Sequence, residues 1–78
     1  MRIELDCRGL RCPAPVIALA KALSTVEPGD EIAVVATDVA ARVDVQAWCR
    51  MRGQEYLGEE KAEDGTPTYV VRRLLEDV

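Results

Sequence analysis

Ile32-Ala33-Val34-Val35-Ala36 is apolar at both parities and rich in β-branched side chains. A run this short, flanked by turn residues and with no alternation, suits a strand buried on both faces. It predicts a central strand over Glu31–Thr37, with neighbours on either side. The rest of the chain supplies them. Ile3–Cys7 alternates and stops at Arg8-Gly9, which predicts a first strand. Val16, Leu19, Ala20 and Leu23 fall at i, i+3, i+4 and i+7, so a helix is expected over Pro15–Thr25, closed by the turn residues Glu27-Pro28-Gly29-Asp30. After Asp38, a plausible N-cap, Ala41, Val45, Trp48 and Cys49 give a second helix ending at Gly53. A rival stripe of Val43, Ala47 and Met51 leaves its rotation open. Gln54–Ala62 and Thr68–Leu75 complete an antiparallel hairpin through Glu63-Asp64-Gly65-Thr66-Pro67. The order βαβαββ with right-handed crossovers places both helices on one face of a four-stranded mixed sheet, an α/β two-layer sandwich.

With 78 residues this is expected to be a single domain, 1–78, whose small core contributes about 3 to 5 kcal/mol. A deep enclosed substrate pocket is therefore not expected. No run reaches the ~18 apolar residues of a membrane span, and the alternating start Met1-Arg2-Ile3-Glu4-Leu5-Asp6 lacks a signal-peptide core, so the reading is cytoplasmic with no membrane partner. The chain has no histidine, which removes imidazole bases and the commonest metal ligand. A net charge of -4 argues against direct nucleic acid binding. Residues 1–21 nevertheless carry +2 and the remainder -6, so an acidic partner would favour the N-terminal end.

The three cysteines, Cys7, Cys12 and Cys49, are an odd number in a chain without an export signal, which argues against a disulfide framework. With so few sulfurs and no histidine, no metal site is expected. Cys49 beside Trp48 and Cys7 at a strand end read as packing residues. Cys12 differs. It stands where coil meets the first helix, where unpaired N–H groups and the helix dipole stabilise an anion, and Arg8 and Arg11 could lower its pKa further. Pro13 and Pro15 suit the first helical turn and leave the N–H groups of Ala14 and Val16 as the expected contacts of the sulfur. Cys12 is thus a candidate nucleophile, with a capping residue before a proline-started helix as the plain alternative. Asp38 and Asp44 read as groups that cap and solvate the second helix.

Gly9-Leu10-Arg11-Cys12-Pro13-Ala14-Pro15 resembles the Gly-Leu-x-Cys-Pro-x-Pro element of the TusA family of small sulfur carrier proteins, also called SirA-like. The similarity continues through Leu5-Asp6, Pro28-Gly29-Asp30, Ala36-Thr37-Asp38, Asp44-Val45, Trp48-Cys49 and Tyr69-Val70-Val71-Arg72. It departs at Val39, where the family usually has proline, and at Gln54, where histidine is frequent and where the change would remove a side chain suited to partner docking. The resemblance implies a persulfide on Cys12, with no separate cofactor, supported by Gly9, Arg11, Pro13 and Pro15. Sulfur would come from a cysteine desulfurase or rhodanese-like donor and pass to an acceptor protein. The implied role is that of a sulfurtransferase subunit rather than a standalone catalyst. Such relays serve transfer RNA 2-thiouridine, sulfur oxidation or molybdenum cofactor synthesis, and the same nucleophile could handle selenium. Arg8 and Lys21 would meet acidic partner surfaces. A different class of reading is a redox-regulated interaction module in which Cys7 and Cys12 form a reversible disulfide.

Overall fold

The computed structural model describes residues 1–74. Its elements are β1 (Arg2–Cys7), α1 (Ala14–Leu23), β2 (Glu31–Ala36), α2 (Ala40–Arg52), β3 (Glu55–Lys61) and β4 (Pro67–Arg72). The expected order βαβαββ is observed, with boundaries shifted by a residue or two. The predicted end of the last strand at Leu75 lies outside the described residues. The sheet runs β1-β2-β4-β3, so β2 and β4 are central and β1 and β3 are the edges. β1 pairs parallel with β2, from Arg2 opposite Glu31 to Cys7 opposite Ala36, and the other pairings are antiparallel. Pro67 is tolerated because it opens its strand, where a missing ladder donor costs least.

Both helices cover one face. Leu19 and Leu23 of α1 and Val45 and Trp48 of α2 share a buried cluster with Ile32, Val34, Tyr69 and Val71. The other parity of the central strands, Ala33, Val35 and Val70, is also buried, though it lies outside that cluster. Charged side chains lie across it: Arg2 bonds Glu31, and Arg72 pairs with both Glu31 and Glu55. Arg2 also reaches Glu60, joining the two edge strands across the open face. The aliphatic stems of such side chains shield the apolar floor while their heads stay in water. That accounts for the doubly apolar sequence of β2 in a sheet with helices on one side only.

The rotation of α2 is resolved in favour of the Ala41, Val45, Trp48 and Cys49 stripe, which is buried. Val43 and Met51 of the rival stripe are 65% and 75% exposed. Gly53 ends the helix with a positive φ of 69°, a conformation that favours glycine, and the Gln54 N–H closes onto the Cys49 carbonyl at 2.9 Å. Gln54 itself is buried: its amide donates to the Arg52 carbonyl and its oxygen accepts from the Leu74 N–H. The Gln54 side chain thus fastens the chain internally. A pair of substitutions three residues apart tests the rotation. Trp48→Ala should cost about 3 to 5 kcal/mol in urea unfolding, and Met51→Ala should stay within about 0.5 kcal/mol; equal losses would contradict the observed setting.

Candidate functional site

Because β1 and β2 run parallel, their C-terminal ends lie side by side, with Cys7 opposite Ala36. The loops that follow therefore leave the sheet together, and the beginnings of both helices converge there. Residues 8–13 are stitched to residues 37–38 by two hydrogen bonds. The Gly9 N–H donates to Thr37 Oγ1, and the Cys12 N–H donates to Asp38 Oδ2, both at 2.9 Å. The other oxygen of Asp38 accepts from the Ala40 N–H at 3.0 Å. Asp38 thus satisfies a free donor at the start of α2 and fixes the backbone of Cys12 with the same carboxylate. These bonds hold its carboxyl below the usual carboxylate range, with the Cys12 N–H the largest cause. The N-cap position proper is occupied by Val39, one residue later, and makes no side-chain cap. Gly9 takes a φ of +80° in the turn that redirects the chain after β1.

The site residues predicted on this loop, Gly9, Arg11, Cys12, Pro13 and Pro15, lie together at the start of α1. Cys12 is partly exposed, whereas Cys7 and Cys49 are buried. The Cys12–Pro13 peptide is cis, Pro13 precedes the first helical residue, and Pro15 is buried in the first turn of α1. Ala14 does not offer its N–H to the sulfur, since it donates to the Arg11 carbonyl at 2.8 Å. Arg11 is exposed and bears on Asp38. Arg8 is engaged within the chain, donating to Asp6 and Asp64. Lys21 is exposed in the last turn of α1, roughly 10 Å of helix rise beyond Ala14. Neither Arg8 nor Lys21 flanks the sulfur.

The expected lowering of the thiol's pKa is not what the structure shows. The Cys12 thiol is pushed up to about 11, first by burial, then by a hydrogen bond to the Asp44 side chain and by the charges of Asp44 and Asp38. A thiol that donates to a carboxylate is stabilised in its protonated form, and a neighbouring negative charge opposes ionisation. Burial and the two carboxylates act in the same direction. Cys7 is raised mainly by burial, and Cys49 is raised to about 11 by burial opposed by Arg50. A Cys7/Cys12 redox pair would require a buried thiol to act as a thiolate, so its environment disfavours that reading.

Asp44 was expected only to solvate α2. It is instead half-buried on the wall of a shallow cleft of about 240 Å³, lined also by Pro13, Val16, Ala47, Trp48 and Met51. The sequence holds a signal for it. Asp44 stands one turn before Trp48 on the inward stripe, and a carboxylate at the border of a buried face needs a donor. A second hollow of about 410 Å³ is lined by Gly9, Leu10, Arg11, Thr37, Asp38 and Val39. Arg52 lies over the Trp48 ring with its guanidinium carbon 5.6 Å from the centroid.

The raised thiols give a signed pH dependence. The fold favours their protonated forms, so the associated stability is present below about pH 8.5 and is lost as pH rises through about 11. Alkylation of Cys12 by iodoacetamide should therefore be slow at pH 7 to 8 and climb toward pH 11. A plateau below pH 8 would contradict the site's electrostatics.

Comparison with known proteins agrees with the geometry. Residues 3–73 match the family described as sulfurtransferase TusA. A protein of Archaeoglobus fulgidus is 40% identical over 73 residues, covering 94% of this chain and 95% of its own length. The sulfur carrier protein TusA of Pseudomonas entomophila is 39% identical over 69 residues, covering 88% of this chain and 85% of its own. In fold, the chain resembles the crystal structure of a SirA-like protein from Desulfitobacterium hafniense, with a TM-score of 0.79 at 24% identity over 96% of this chain and 100% of that one. The chain belongs to the TusA family of sulfur carrier proteins.

Proposed function

We propose that this chain acts as a single carrier domain that holds a persulfide on Cys12. Sulfur is received from a cysteine desulfurase or a rhodanese-like protein and passed to an acceptor protein in a cytoplasmic relay. The observation that carries this reading is the contrast among the cysteines: only Cys12 is partly exposed, and its backbone is pinned by Asp38 on a turn between two hollows. The transfer is redox-neutral. The sulfur of Cys12 attacks the terminal sulfur of the donor persulfide, a new S–S bond forms on Cys12, and the donor's S–S bond breaks. The donor cysteine leaves as the thiol after gaining the proton that Cys12 gives up. Because the resting thiol is held protonated, an empty carrier reacts slowly with stray electrophiles, and ionisation belongs to the encounter with a donor.

Gly9, Arg11, Pro13 and Pro15 support the sulfur in this reading: glycine makes the turn, the prolines stiffen the loop, and Arg11 provides the cation of the second hollow. Lys21 contributes a peripheral charge for docking, whereas Arg8 acts through the internal ion pairs that hold the loop. The fate of the sulfur among transfer RNA thiolation, sulfur oxidation, molybdenum cofactor synthesis and selenium handling depends on the acceptor. Incubation with a cysteine desulfurase and free cysteine should add the mass of one sulfur atom, removable by reductant. Cys12→Ser should abolish the gain, while Cys7→Ser and Cys49→Ser retain it. Absence of uptake from both a desulfurase and a rhodanese-like donor would overturn the proposal.

A further inference from the structure

We infer that Asp38 is a positioning residue in sulfur transfer: by accepting from the Cys12 and Ala40 N–H groups at once, it makes the turn that carries the sulfur a fixed post rather than a swinging arm. This rests on the carrier reading above. The Cys12 N–H donates to Asp38 Oδ2 at 2.9 Å and the Ala40 N–H to Oδ1 at 3.0 Å, so one side chain joins the carrier turn to the start of α2. The turn is tied down on both sides of that bond. The Gly9 N–H donates to Thr37 Oγ1 at 2.9 Å, the Leu10 N–H to the Cys7 carbonyl at 3.1 Å and the Ala14 N–H to the Arg11 carbonyl at 2.8 Å. The Cys12 side chain itself packs against the buried cluster. A turn that swung would surrender these bonds to water, whereas one that keeps them holds its sulfur in place.

A fixed post suits the exchange this carrier performs. The donor's S–S bond breaks as a new S–S bond forms on Cys12, and the donor cysteine leaves as the thiol with the proton that Cys12 gives up. Attack requires the reacting sulfurs to be aligned at roughly 3 to 3.5 Å, and a misplacement of about 1 Å costs on the order of a hundredfold. A domain too small to enclose its partner's sulfur achieves that alignment by holding its own sulfur still. Charge works the other way. The Asp38 carboxylate raises the pKa of the Cys12 thiol, so its removal alone would speed attack at neutral pH. Slower transfer on losing Asp38 therefore reports position, not ionisation.

Asp38→Ser separates the two bonds, because a serine hydroxyl can accept from the N–H two residues on and is too short to hold one on another loop. In the full chain, deuterium exchange of the Cys12 amide should quicken at least about tenfold in Asp38→Ser. The single-turnover rate of loading, at saturating cysteine desulfurase with free cysteine, should fall about tenfold to a hundredfold. Alkylation of bare Cys12 by iodoacetamide at pH 8, which needs no fixed approach, should be no slower than in the wild type. Asp38→Ala should match Asp38→Ser in loading while lowering the urea midpoint further, since it also loses the cap at Ala40. Unchanged exchange at the Cys12 amide, or wild-type loading in Asp38→Ser, overturns the inference. A loss confined to the desulfurase concentration for half-maximal rate overturns it by making Asp38 a docking contact. Loading that falls in step with the urea midpoint across the two variants overturns it by making the role purely structural. Each of these outcomes leaves the carrier reading standing. If the wild-type chain takes up sulfur from neither a desulfurase with cysteine nor a rhodanese-like protein with thiosulfate, the carrier reading itself fails and takes the assignment of Asp38 with it.

Discussion

The parallel pairing of β1 with β2 is the constraint from which the rest follows. It sends both strands toward one end of the sheet, so that the loop after Cys7 and the loop after Ala36 emerge as neighbours. Only then can one carboxylate, Asp38, accept from the Cys12 N–H with one oxygen and the Ala40 N–H with the other. Shallow sites in open α/β sheets are commonly built outside the carboxyl ends of strands for the same reason. A chain with a small core cannot enclose a substrate, but it can hold one side chain on a braced turn.

At that turn, burial and charge together set the protonation of the thiol. A helix start favours an anion by about 0.3 to 1 kcal/mol when exposed, and that influence is modest. Burial of the thiol first, then Asp44 and Asp38, act in the opposite sense. The arginines expected to offset them are occupied or remote: Arg8 is held by Asp6 and Asp64, and Arg11 faces Asp38. The reactive state of the sulfur is accordingly set by what is attached to it and by what docks beside it.

The two faces of the sheet illustrate another division of labour. On one, α1 and α2 bury Ile32, Val34, Tyr69 and Val71. On the other, paired arginines and glutamates lie across a buried floor of Ala33, Val35 and Val70. Each exposed ion pair contributes little by itself, about 0 to 1 kcal/mol, so the stems of these side chains matter more than the pairing. The exposed apolar side chains Val43 and Met51 then stand on α2, on the same flank as the cleft beside Cys12.

Element order, strand placement and the prominence of Cys12 were legible in the chain itself, because they rest on local physics. Period-2 and period-3.6 patterns, the glycine after α2 and the Asp-Gly turn each act over a few residues. The Cys-Pro-x-Pro element also identified the family from a contiguous stretch. What the chain alone left open was every property set by groups distant in sequence. Which stripe of α2 faces inward depended on fitting Trp48 against the sheet. The protonation of Cys12 depended on its burial and on the charge of Asp44, thirty-two positions away along the chain and brought near only when α2 packs beside α1. The engagement of Arg8 likewise required the β3–β4 turn to place Asp64 next to it. Electrostatic interaction depends on separation in space, and folding, not sequence adjacency, sets that separation.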